Sequence, residues 1–194
     1  MSLIDDLRAL VKRQRVYAGM REGGTSQQAE LSALRDLCDS MTRGHEVRYA
    51  NPRCAPRDPP DCLADLLAGG TAAIEVTEFV SADAVRINEQ ARPAPGERPP
   101  ISDQVMARWD RGTLLEAVAQ RLASKDAKTL HGGPYAEYVV LIYTHEPLLV
   151  RSQVTEWLDG HRFGPFRQIA RAYFLLDYEP HYGYPYQLLD IGGV

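Results

Sequence analysis

The sequence is short of cysteine, long apolar runs and net positive charge, and each shortage removes a class of protein. Its three cysteines, Cys38, Cys54 and Cys62, are odd in number and show no C-x-x-C spacing. That argues against a disulfide framework and a Cys-rich zinc site, and fits a reducing, cytoplasmic setting. No stretch reaches the roughly 18 apolar residues expected of a membrane span, so no membrane partner is expected. The start, MSLIDDLRALVKRQR, carries early acidic residues and no long apolar run after a basic segment, unlike a signal peptide. The net charge of −4 excludes a general polycation. It leaves room for local basic patches that meet nucleic acid, such as Lys12, Arg13 and Arg121. Their plainer alternative is a solvated helix face. Phosphate-cradling and nucleophile-elbow motifs are missing: there is no G-x-x-x-x-G-K-[ST], G-x-G-x-x-G or G-x-S-x-G. His45-Glu46 and His145-Glu146 begin like a zinc helix motif but lack its second histidine.

What remains is an ordinary globular composition, 44% hydrophobic and 25% charged over 194 residues, which suits a single domain, 1–194. The pattern predicts a helix from Ser2 to Arg15 and a second beginning near Thr25. In the second, Leu31, Leu34, Cys38 and Met41 follow helical spacing, with Glu30 at the edge of that stripe. Strands are expected at 46–50 and, most clearly, at 72–80, AAIEVTEFV, preceded by Gly69-Gly70. A helix over 113–130 and an apolar strand over 138–143 follow. A short helix over 151–159 and closing strands over 171–177 and 185–191 complete the series. Proline-rich 51–60 and 91–100 are expected to be loops. The aromatic cluster Tyr178, His181, Tyr182, Tyr184 and Tyr186 suits either a packed C-terminal hairpin or base stacking. The order is α-α-β-β-β-α-β-α-β-β, which implies an α/β three-layer sandwich around a central mixed sheet.

Alternation along 72–80 separates Ala72, Ile74 and Val76 from Ala73, Glu75 and Thr77. Glu75 therefore sits in a strand expected to be largely buried, where an ionised carboxylate needs a partner. A divalent cation shared with Asp61, which follows Pro60, is one such partner. The plainer alternatives are a strand-edge carboxylate in water for Glu75 and the end of a turn for Asp61.

Pro60-Asp61, a gap, then Glu75-Val76-Thr77 resembles the motif of the PD-(D/E)XK, restriction-endonuclease-like nucleases. The resemblance covers about 25–143, an α-β-β-β-α-β core. Thr77 stands where that family usually has lysine. The resemblance implies a nuclease that hydrolyses phosphodiester bonds in DNA, with RNA second, using Mg²⁺ or Mn²⁺ held by Asp61 and Glu75. Glu30 is a further ligand from the second helix, or else a solvated helix residue. Thr77 orients the attacking water. Lys125, or next Lys128, replaces the missing lysine from the helix, unless both are only helix-end cations. Asp65, Glu78 and Asp83 are competing acids. On this pattern, Thr77→Lys is expected to raise activity. A homodimer is an admissible assembly. The alternative class is a catalytically degenerate, nuclease-like scaffold that binds nucleic acid or protein.

Overall fold

The structure, a computed structural model, describes residues 26–90, 107–180 and 182–193. The expected helix at Ser2–Arg15, the loop 91–100, and Lys12, Arg13 and His181 lie outside the described residues.

Helix α1 (Ser26–Arg43) is followed by β1 (Tyr49–Cys54), β2 (Cys62–Leu66) and β3 (Thr71–Phe79). Two helices come next, α2 (Ala82–Gln90) and α3 (Arg111–Asp126). Then come β4 (Glu137–Thr144), α4 (Arg151–Leu158), β5 (Arg162–Phe166), β6 (Arg171–Leu175), β7 (Tyr186–Leu188) and β8 (Asp190–Gly193). Six strands form one sheet in the order β1-β2-β3-β4-β6-β7, and β5 pairs with β8 in a second, small sheet. The large sheet is mixed. The pairs β3–β4 and β4–β6 are parallel, and β1–β2, β2–β3 and β6–β7 are antiparallel. Among the described residues, no helix is long and apolar enough to cross a membrane.

The sheet is covered on both faces, which is why β4 is buried at every position. On one face Leu34, Leu37, Cys38 and Met41 of α1 pack against Ala72, Ile74 and Val76 of β3 and Leu141 of β4. On the other, Leu114, Val118 and Leu122 of α3 and Val154 of α4 pack against Ala73, Phe79, Val140, Ile142 and Phe174. The period-2 pattern of β3 thus divides its side chains between two cores, and it is the second that faces α3. The C-terminal aromatics pack: Tyr178 meets Tyr184 edge-on at 5.5 Å, and Tyr173 meets Tyr186 at 6.1 Å.

Several boundaries differ from expectation. The first strand begins at Tyr49 and runs to Cys54, through residues whose prolines had suggested a loop. Pro52 is tolerated because β1 is an edge strand with a bulge between Ala50 and Arg53. Asn51 takes a positive φ of 52° there. Asp65 fixes the bulge, accepting hydrogen bonds from Asn51 Nδ2 at 2.9 Å and Arg53 at 2.8 Å. Helix α2 and strand β5 were not expected. The expected strand at 185–191 divides at Leu189, which is buried in the α3-side core, into β7 and β8 of different sheets. Helix α3 ends at Asp126, so Lys128 lies beyond its C-cap, Ala127, rather than on the helix.

Candidate metal centre

The β2–β3 hairpin positions the two carboxylates. Its turn closes with Gly69 and Gly70 at φ of 98° and 90°, a region that favours glycine. A Cβ on Gly70 would also lie 2.8 Å from the Ala136 side chain. From that turn the register runs to Cys62↔Ile74. One step further places Asp61 opposite Glu75, and opposite residues of an antiparallel pair share a face. It is the α3-facing side. Asp61 Oδ2 accepts the Val76 N–H at 2.7 Å, extending the ladder past the end of β2 with a side chain.

Glu75 is 0% exposed. Its Oε2 accepts hydrogen bonds from Lys125 Nζ and Lys128 Nζ, both at 2.6 Å. Lys125 Nζ also donates to the Val76 carbonyl at 3.2 Å and lies 3.5 Å from Asp61 Oδ2. Lys125 is 13% exposed and Lys128 34%. Glu75 Oε1, in contrast, is buried without any hydrogen-bond partner among the described residues. A carboxylate oxygen left unpaired in a core is costly.

Carboxylate oxygens of Asp58, Asp61 and Glu75 lie within 4.8 Å of one another, an arrangement able to hold a metal ion. Asp58 is exposed and was not singled out from the sequence. The available signal was the run Asp58-Pro59-Pro60-Asp61, in which two prolines restrict the turn between two acids. The backbone N–H of His131 donates to Pro59 O at 2.7 Å, tying this loop to the segment that carries Lys128.

Electrostatics reflect the crowding. Burial pushes the Asp61 carboxyl above the usual range, the Val76 N–H and Lys125 oppose that rise, and the charges of Glu75 and Glu30 add to it. Burial would lower the Lys128 ammonium, but its bond to Glu75 and the charges of Glu75 and Asp61 hold it above its ordinary value. The Tyr138 phenol is held above its usual range by burial and then by Glu75, Asp126 and Asp61. Its hydroxyl donates to Lys125 O at 2.9 Å.

The structure brings Asp61, Glu75, Lys125 and Lys128 together and does not bring in Glu30. Glu30 belongs to α1, which covers the opposite face of the sheet, and accepts the Ser26 hydroxyl at 2.6 Å. Its charge still reaches Asp61. Thr77 is half-buried, one alternation beyond Glu75 on the same face. Arg121, expected at a nucleic-acid interface, makes its observed contacts within the protein. Its guanidinium sits over the Phe79 ring at 4.7 Å and donates to the carbonyls of Glu78, Val80 and Ala117. Those bonds fix it at the end of β3. Among the competing acids, Asp65 serves the bulge. Glu78 alternates to the α1 side, and Asp83 pairs with Arg86 at 3.1 Å.

Asp126 is a positioning residue that sequence reasoning missed. Its carboxylate accepts backbone N–H bonds from Arg167 and Gln168, each at 3.0 Å, and Ile169 at 3.3 Å. Gln168 Nε2 returns bonds to the carbonyls of Asp126 and Lys128, the latter at 2.7 Å. The end of α3, and with it both lysines, is thereby locked to the loop before β6. Burial alone would raise the Asp126 carboxyl, but the three N–H donors and Arg167 bring it below its ordinary value of 3.8. A depressed carboxyl contributes stability above the unfolded value and loses it as pH falls through the folded one. Asp126→Ala is expected to cost about 1–3 kcal/mol near neutral pH, because donors are left unpaired. The gap between variant and wild type should narrow below pH 3.8. Urea unfolding across that range checks it, and a constant gap would rule the carboxylate out as the cause.

Compared with known proteins, the chain matches no family model, no curated protein and no solved structure.

Proposed function

We propose that this protein is a divalent-metal-dependent nuclease of the PD-(D/E)XK type that hydrolyses phosphodiester bonds in DNA, and RNA less readily. The observation that carries this reading is Glu75 Oε1, buried and unpartnered while its sister oxygen takes two ammonium groups. The grouped residues Asp58, Asp61 and Glu75 offer only carboxylate oxygens, the set that suits Mg²⁺ or Mn²⁺. The order α1, β1–β3, α3, β4 within a mixed sheet supports the restriction-endonuclease-like core that the Pro60-Asp61 and Glu75 pattern implies.

In this reading Asp58, Asp61 and Glu75 would hold the cation. Once bound, it would supply Lewis-acid chemistry, acidifying an attacking water and offsetting charge on the phosphate. Lys125, between Asp61 and Glu75, takes the place of the family's strand lysine and orients that water. Lys128, the more exposed of the two, donates to a non-bridging phosphate oxygen. Thr77 lines the same face and orients water through its hydroxyl. Three carboxylates against two ammoniums leave a small negative balance, which a divalent ion turns positive, as binding a polyanion requires.

A second reading has its own observation. Lys125 and Lys128 already compensate Glu75, so the site can stand as an ion-pair network in a scaffold that binds nucleic acid without turnover. Incubation with plasmid, single-stranded DNA and RNA separates the two readings. Metal-dependent cutting, stronger with Mn²⁺ than with Mg²⁺, is expected. Binding with no cutting under either ion would leave the scaffold reading in its place.

A further inference from the structure

We propose that Cys54 and Cys62 are a modification site: an oxidisable thiol pair that a peroxide joins into a disulfide across the β1–β2 hairpin. Seven intervening residues hide this pair in the sequence, but the hairpin pairs Cys54 directly with Cys62. Ala55 N–H donates to Asp61 O at 3.0 Å, so Ala55 and Asp61 are a hydrogen-bonded pair. Pairs alternate, which makes Cys54 and Cys62 the non-hydrogen-bonded kind, with Cα atoms about 4.5 Å apart and side chains at their closest. That separation falls at the near end of the roughly 4.4–6.8 Å that disulfides span. Both thiols are free, and pairing puts them on one face.

The two differ in access. Cys62 is fully buried, whereas Cys54 is only half-buried and lies at the sheet's edge strand. Peroxide therefore meets Cys54 first. The Cys54 sulfur attacks one peroxide oxygen, the O–O bond breaks, and a sulfenic acid and one water result. The Cys62 sulfur then attacks the Cys54 sulfur, the S–O bond breaks, and a second water leaves. Two thiols are oxidised by two electrons and one peroxide is reduced. The product closes the loop 55–61, which carries Asp58 and Asp61. The thiol chemistry is independent of any metal or nuclease activity, so its failure and the failure of that reading are separable.

Limiting hydrogen peroxide on the intact chain, followed by mass spectrometry, tests the pair. The expected product has lost two hydrogens. Non-reducing peptide mapping should join the Cys54 and Cys62 peptides and leave Cys38 as a thiol. Cys54→Ser, at the half-buried position, should abolish the cross-link. Oxidised wild type should also unfold at higher urea than reduced wild type, with no such shift in Cys54→Ser. A cross-link that involves Cys38, a loss of two hydrogens that persists in Cys54→Ser, or oxygen addition without any cross-link overturns the proposal.

Discussion

Glu75→Gln is expected to lose both cation binding and DNA cleavage while the chain stays folded. The substitution keeps volume and one oxygen, so packing between β3 and α3 survives. It removes the charge that faces Asp58 and Asp61 and the charge that Lys125 and Lys128 share. Breaking a buried pair costs about 3–5 kcal/mol, and the lower end applies because Lys128 is 34% exposed and stays hydrated. Calorimetry with Mn²⁺ should show saturable binding to the wild type and none to Glu75→Gln. Cleavage should fall by about 10³-fold or more, beyond what one preorganised donor contributes. Asp61→Ala should behave alike, and Asp58→Asn should lose less, since that carboxylate is exposed and already hydrated. Equal Mn²⁺ binding by wild type and Glu75→Gln would remove the metal centre and leave an ion-pair network.

The second large effect is expected at Lys125. Lys125→Ala should slow cleavage by about 10²-fold, the low end for a group that manages a proton or a water. Mn²⁺ binding should survive, because all three carboxylates remain. That split between binding and turnover is one that a merely structural lysine would not produce. From the sequence alone, Thr77→Lys promises a gain of function. Two ammonium groups already bond Glu75 Oε2, and a third at position 77 is expected to repel both, so the single substitution is now expected to gain little. The informative variant is Lys125→Ala with Thr77→Lys, which moves the ammonium from helix to strand on the same face. Recovery of most of the lost rate is expected. Unchanged cleavage in both Lys125→Ala and Lys128→Ala would show these lysines to be bystanders.

The sequence by itself determined the parts of this protein that rest on local periodicity. The two-faced pattern of 72–80 announced β3 and put Glu75 and Thr77 opposite Ile74 and Val76. The unbroken apolar run at 138–143 announced a strand covered on both sides, and the stripe Leu34, Cys38, Met41 announced α1. Those signals are carried by neighbours in the chain, so no long-range contact is needed to read them. Tertiary structure decided what depends on pairing. A bulge extended β1 past Pro52, and the hairpin register set Asp61 against Glu75 and Cys54 against Cys62. Asp58 and Asp126 had no periodic signature, because their roles come from what a fold carries to them: a proline-bounded loop for one, the N–H groups of Arg167–Ile169 for the other. Arg121 read as a free cation because charge is visible in a sequence while the carbonyls that bind it are not. The burial of Glu75 and the two ammonium groups on its Oε2 are of the same kind: they exist only once β3, α3 and the segment after α3 have packed together.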